Sequence, residues 1–192
     1  MKTQTHLLQL LLAALFSWSV APESAHAQKD PKEAFRIFRE AAEQGDADAQ
    51  FQLGGVYAKG RGVDRSDIEA SKWFRKAASQ GHTEAQFTLG GLHTKGRGVS
   101  KDDTAALRWL TKAANKGHTR ALFIVGALHA KGRGAERNLV QAHKFFSLAE
   151  KNGVKDASRN RELAASKMTP DQVEEAQRLA REWVPKNNSS SN

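Results

Sequence analysis

Cysteine is absent from the 192 residues. The chain therefore has no disulfide framework, no lipid-modified cysteine and no thiol nucleophile. A serine in a nucleophile elbow and the paired histidines of a metalloprotease helix are missing too, and no spacing singles out two carboxylates to act together. Long apolar runs are also scarce. The longest, from Leu7 to Val20, covers about 14 residues and contains Gln9, Ser17 and Ser19, whereas a membrane-spanning helix needs roughly 20. No catalytic residue and no cofactor is expected from this inventory.

That apolar run does have a place. Lys2 precedes it and Ala25-His26-Ala27, a small-x-small site, follows it. These are the three parts of a secretory signal peptide, so residues 1–27 are expected to be removed and the protein exported, to the periplasm or else secreted. No transmembrane segment is then left. The net charge of +9 reads differently in that setting. Outside the cytoplasm the available anions are lipid head groups, cell-wall polymers and acidic proteins, not nucleic acid.

What the chain has in quantity is repetition. The stretch from Ala49 to Gly81 returns 36 residues later as Ala85 to Gly117, with 18 of 33 positions unchanged, and again more loosely as Ala121 to Gly153. Self-similarity at this period marks a solenoid. All fifteen glycines keep the register, in rows such as Gly54/Gly90/Gly126 and Gly60/Gly96/Gly132, with Ala127 standing in the row of Gly55 and Gly91.

Each repeat reads as two helices. Helix A covers Ala47 to Lys59, Thr83 to Lys95 and Thr119 to Lys131, with Leu53, Leu89 and Val125 among its apolar positions. The mid-helix row Gly54/Gly90/Gly126 costs about 1 kcal/mol per residue relative to alanine, which implies close approach of a neighbouring helix. Lys59-Gly-Arg-Gly-Val63 and its copies are turns. Helix B opens at Ser66, Asp102 and Asn138, all strong N-caps, with Ser66…Glu69 as a capping box. Its buried stripe alternates aromatics with alanines: Ala70, Trp73, Phe74, Ala77 and their copies. Before the repeats, residues 28–46 form an N-terminal capping helix opened by Asp30-Pro31. After them, residues 154–184 form C-terminal capping helices, the last opened by Thr169-Pro170-Asp171-Gln172 and lined by Val173, Ala176, Leu179, Ala180 and Trp183. Residues 185–192 read as a disordered tail.

The pattern Ala-Gln-Phe-x-Leu-Gly-x-x-Tyr-x-x-Gly-x-Gly-Val, followed by Ala…Trp-Phe-x-x-Ala-Ala-x-x-Gly, resembles the Sel-one-like repeat (SLR), a relative of the tetratricopeptide repeat. Near-complete copies lie at 49–81, 85–117 and 121–153. The resemblance implies an all-α, right-handed α-α superhelix of three repeats between capping helices, used as a non-catalytic scaffold for other proteins. By the same analogy helix A lines the concave face.

The positions pointing into that face would be Asp48/Glu84/Arg120, Phe51/Phe87/Phe123, Gly55/Gly91/Ala127, Ala58/Thr94/Ala130 and Lys59/Lys95/Lys131. A phenylalanine row beside nearly bare backbone makes a groove, and a lysine rim would hold the carboxylates of an extended or helical peptide segment. The competing reading places Phe51, Phe87 and Phe123 in ordinary core between helices. Lys-Gly-Arg-Gly invites comparison with a phosphate loop, but no strand precedes it and the Lys-Ser/Thr ending is missing. Stacked Arg61, Arg97 and Arg133 would at most attract polyanions weakly. His82/His118 and His93/His129 lie 11 residues apart within a repeat, not the four that place two ligands on one helical face, and His143 stands alone, so no metal site is expected. His93 and His129 take the place of a packed tyrosine. Three functions follow: an envelope adaptor capturing a protein on its inner face, a basic polyanion binder, or an accessory subunit of an envelope enzyme.

Overall fold

The computed structural model describes residues 31–186. The signal-peptide reading, the Asp30 cap and residues 187–192 lie outside that range. Among the described residues there are nine helices and no strand. The first, α1 (Pro31–Glu43), stands alone. Three hairpins follow: α2 (Ala47–Lys59) with α3 (Asp67–Ser79), α4 (Thr83–Lys95) with α5 (Asp103–Asn115), and α6 (Thr119–Lys131) with α7 (Leu139–Lys151). Two closing helices, α8 (Ala157–Ala165) and α9 (Pro170–Arg181), complete the fold. Each helix from α1 to α7 packs on the next, the arrangement of an α-solenoid. None of these helices is long and apolar enough to cross a membrane.

The helix starts follow their local chemistry. Ser66 accepts a hydrogen bond from the Glu69 N–H at 3.1 Å, and Asn138 from the Gln141 N–H at 2.9 Å. Asp102 accepts from the N–H groups of Thr104 and Ala105. The capping box expected at Ser66 forms only by half: the Glu69 carboxylate accepts from Lys72 Nζ at 2.6 Å instead of reaching back. At Thr169 both halves form, with Gln172 as the partner.

Within a hairpin the glycine row does what the sequence implied. A Cβ at Gly54 would lie 2.7 Å from the Phe74 ring, at Gly90 2.6 Å from Leu110 Cγ, and at Gly126 2.9 Å from Phe146. Removing that carbon lets helix B seat its bulk against helix A's backbone, and Leu53, Leu89 and Val125 beside the row are fully buried.

The joint between repeats is the Lys-Gly-Arg-Gly turn. Gly98 has φ +64°, and a Cβ there would overlap the Asp67 carbonyl at the start of α3. Backbone conformation and close approach both demand glycine at this point. Gly134 meets Asp103 in the same way and Gly62 meets Pro31. Beside the Gly98 and Gly134 contacts an arginine grips the preceding helix pair. Arg97 donates two hydrogen bonds to Asp67, at 2.8 and 3.3 Å, and Arg133 donates two to Asp103, at 2.7 and 3.0 Å. These hydrogen bonds hold both aspartates below the usual carboxylate range. The Ser71 hydroxyl adds a bond to the Gly98 carbonyl at 2.8 Å. The loop is thus a clasp between repeats, and two of its three arginines already have a carboxylate.

The C-terminal end departs from the expected capping. Helix α8 stops at Ala165 after nine residues, and α9 turns back to pack on α7. It rests beside Leu148, which is only 3 % exposed. The equivalent residues one and two repeats earlier are Lys112 and Lys76, both exposed and lying over the rings of Trp109 and Trp73. Trp183 lies beyond the helix end and joins the core that includes Leu107 and Leu110. The tail expectation gives way at its first two residues: Pro185 sits against Gly117, and the Lys186 N–H donates to the Asn115 carbonyl at 2.7 Å.

Candidate functional site

Helices α2, α4 and α6 carry the residues of the predicted inner face in matching rows. Phe51, Phe87 and Phe123 are neither free nor fully core; each is half-buried. Phe51 tilts against Phe74 at 5.6 Å between ring centroids, and Phe123 against Phe146 at the same distance. Toward the next repeat Phe51 stacks on His82 at 4.6 Å and Phe87 on His118 at 4.3 Å.

Those two histidines have a role that their spacing did not reveal. His82 Nδ1 accepts from the Ala85 N–H at 3.1 Å, and His118 Nδ1 accepts from the Ala121 N–H at 3.1 Å, so each caps a helix A. With Nδ1 accepting, the ring proton lies on Nε2. His82 Nε2 stands 3.1 Å from the Asp48 carboxylate and His118 Nε2 3.1 Å from Glu84. Each histidine thus ties its own helix start to a phenylalanine and a carboxylate one repeat back. The signal was available as a correlated loss: where Arg120 replaces the acid, Val154 replaces the histidine. Glu84 is consequently engaged with His118 while remaining exposed, and Arg120 is exposed beside it.

His93 is buried, with Nδ1 3.3 Å from the Ser100 carbonyl oxygen. His129 stacks on Phe145 at 6.0 Å, and burial pushes its pKa down. Both pack where Tyr57 packs against Phe35 in the first repeat. His143 is 1 % exposed in α7, and burial first, then Arg161, pushes it down. Among the described residues no cluster of three or more potential metal ligands occurs.

The second predicted row behaves differently from its neighbour. Gly55 and Gly91 adjoin Gly54 and Gly90 in the chain, yet among the described residues nothing lies within 4 Å of where their Cβ atoms would be. They leave helix backbone bare beside the phenylalanines. Lys59, Lys95 and Lys131 end the three helices, all exposed. The face therefore offers half-buried rings, open backbone and a cationic edge. Past Ala127 and Ala130 it runs into a cleft between α6, α7 and α8, about 190 Å³ in volume.

The profile of the Sel1 repeat matches residues 25–46, 47–82, 83–118 and 119–154. It thus counts a fourth, partial repeat where the sequence reading placed an N-terminal cap. Solved structures similar to the chain include the following two. One is a protective antigen of uropathogenic Escherichia coli with an SLR fold, 35% identical, with TM-score 0.70; the match covers 81% of this chain and 33% of that one. The other is a Sel1 repeat protein from Oxalobacter formigenes, 34% identical, with TM-score 0.61, covering 66% of this chain and 96% of that one. The chain spans one third of the length of the Escherichia coli antigen. No curated protein matches it.

Proposed function

The chain belongs to the Sel1 repeat family, and from that premise we propose that it is a non-catalytic adaptor of the bacterial envelope, holding another protein against α2, α4 and α6. Proteins of this family generally serve as scaffolds for protein–protein interaction. The observation that carries the reading is the pair Gly55 and Gly91. A glycine inside a helix costs about 1 kcal/mol relative to alanine. At Gly54 and Gly90 the neighbouring helix gives the reason, but at Gly55 and Gly91 nothing among the described residues does. A partner whose backbone or side chains come close to the helix supplies one. The export reading rests on the sequence alone, on the Leu7–Val20 run and Ala25-His26-Ala27.

The polyanion alternative loses part of its support, because Arg97 and Arg133 are paired with Asp67 and Asp103. Nothing specific favours the enzyme-accessory reading over the adaptor. The test is capture from envelope extract at two salt concentrations by the wild type, by Gly91→Trp and by Phe87→Ala combined with Lys95→Glu. Both variants should fold and lose a partner that the wild type retains at high salt. Undiminished capture by Gly91→Trp would refute the inner-face reading.

A further inference from the structure

The third repeat breaks the charge pattern of the first two at one place. Asp67 and Asp103 open α3 and α5 and pair with the arginine of the following turn. The corresponding residue of α7 is Leu139, and no further Lys-Gly-Arg-Gly turn follows it. Leu139 instead lines the 190 Å³ cleft, together with Phe146 and Leu163. Leu163 is 56 % exposed, one of three large apolar side chains so exposed among the described residues.

Around this apolar floor stand Lys131, Arg137 and Lys167, all exposed, and among the described residues no carboxylate lines the cleft. The arginines nearest in sequence have partners, Arg133 with Asp103 and Arg161 with Glu150. No ion pair among the described residues involves the three rim cations. Arg137, Leu139 and Lys167 also border a wider, more polar hollow of about 710 Å³ reaching Asn138 and Gln172.

We propose that this cleft is a docking site for an acidic peptide segment that seats one large apolar side chain between α6, α7 and α8. The inference rests on the adaptor reading above and gives the partner's chemistry at one end of that face. The narrow cleft, at about 190 Å³, is smaller than the about 300–1,000 Å³ typical of small-molecule pockets, and the hollow beside it is polar and open rather than enclosed. A single anchoring side chain fits the smaller space, and the open hollow gives the flanking chain a path. The rim decides the flanks: three unpaired cations over apolar surface favour carboxylates on either side of the anchor.

The experiment uses fluorescence anisotropy of the full protein with a labelled pentapeptide, one phenylalanine flanked by two glutamates on each side. Two control peptides replace the phenylalanine by alanine or the glutamates by lysines. The first peptide should bind at least about tenfold more tightly than either control. Arg137→Glu with Lys167→Glu, at exposed positions, should weaken it by about tenfold or more with an unchanged circular dichroism spectrum. No binding up to about 1 mM, or equal binding of the alanine peptide, overturns the inference. If Phe87→Ala and Gly91→Trp abolish binding while the Arg137/Lys167 variant keeps it, the cleft is wrong and the wider inner-face reading stands. If only the cleft variant loses the peptide, and envelope capture is indifferent to Gly91→Trp, the cleft stands and the inner-face reading falls.

Discussion

Adding one methyl group at each of two adjacent glycines of α4 should move stability in opposite directions. At Gly91 nothing among the described residues lies within 4 Å of the new carbon. Alanine there gains the helix propensity of about 1 kcal/mol, which for a domain of this size raises Tm by about 2–4 °C. At Gly90 the same gain meets Leu110 Cγ at 2.6 Å and the Ala106 carbonyl at 3.2 Å. Favourable carbon contacts begin near 3.5 Å, and Leu110 is buried on all sides. Overpacking of this kind costs about 1–3 kcal/mol. An overlap of this depth with a buried side chain, with a backbone carbonyl close beside it, belongs at or beyond the upper end, so the net loss is about 2 kcal/mol and Tm falls by about 4–8 °C. Thermal unfolding followed by circular dichroism reads both variants. A third and a fourth, Leu110→Ala alone and with Gly90→Ala, close a cycle. With the leucine truncated the added methyl should cost much less, giving a coupling of about 1–3 kcal/mol. Equal stabilisation by Gly90→Ala and Gly91→Ala, or a cycle without coupling, would refute the close-packing account of the glycine row.

Other outcomes follow from the joints and the closing helix. Asp103→Asn should lower Tm at neutral pH and flatten the loss of stability in acid. The folded pKa of Asp103 lies below its ordinary value, so the stability it adds is present above that value and disappears as the pH falls through the folded one. His143 has the opposite chemistry but the same direction with pH. Its folded pKa is depressed, so the unfolded chain takes up the proton first and stability declines as the pH drops below about 6.5, by up to about 1.4 kcal/mol per pH unit. His143→Leu, which places there the residue that α5 carries as Leu107, should remove that part of the decline in denaturant titrations at pH 7.5 and 5. Leu148→Lys, restoring the residue type of Lys76 and Lys112, should release α9; limited proteolysis would then cut near Thr169 while the hairpins stay protected. Unchanged protection of 169–186 would mean that α9 is held by something other than the Leu148 contact.

The recurrence of 36 residues, the N-caps at Ser66, Asp102 and Asn138 and the alanine–aromatic stripe are local or strictly periodic. They were sufficient for the helix bounds of α2, α4 and α6 and for the solenoid itself. The requirement for small residues at Gly54, Gly90 and Gly126 was legible for the same reason, since a glycine's cost inside a helix is known without coordinates. The His82 and His118 caps were less legible. Histidine is an uncommon cap, and its other nitrogen engages a residue 34 positions back, a distance that only the stacking of repeats closes.

The sequence by itself decided that helical hairpins pile up and which residues seal each one, because those interactions reach no farther than a few turns or a single repeat. Tertiary structure alone decided where the ends go and which charges remain free. Whether Arg97 and Arg133 face solvent or a carboxylate depends on the offset between consecutive hairpins. The site at which α9 settles depends on Leu148 being the one apolar residue where earlier repeats expose lysine. Lys131, Arg137 and Lys167 converge on one cleft only because the end of α6, the start of α7 and the end of α8 meet there, a convergence that no period along the chain encodes.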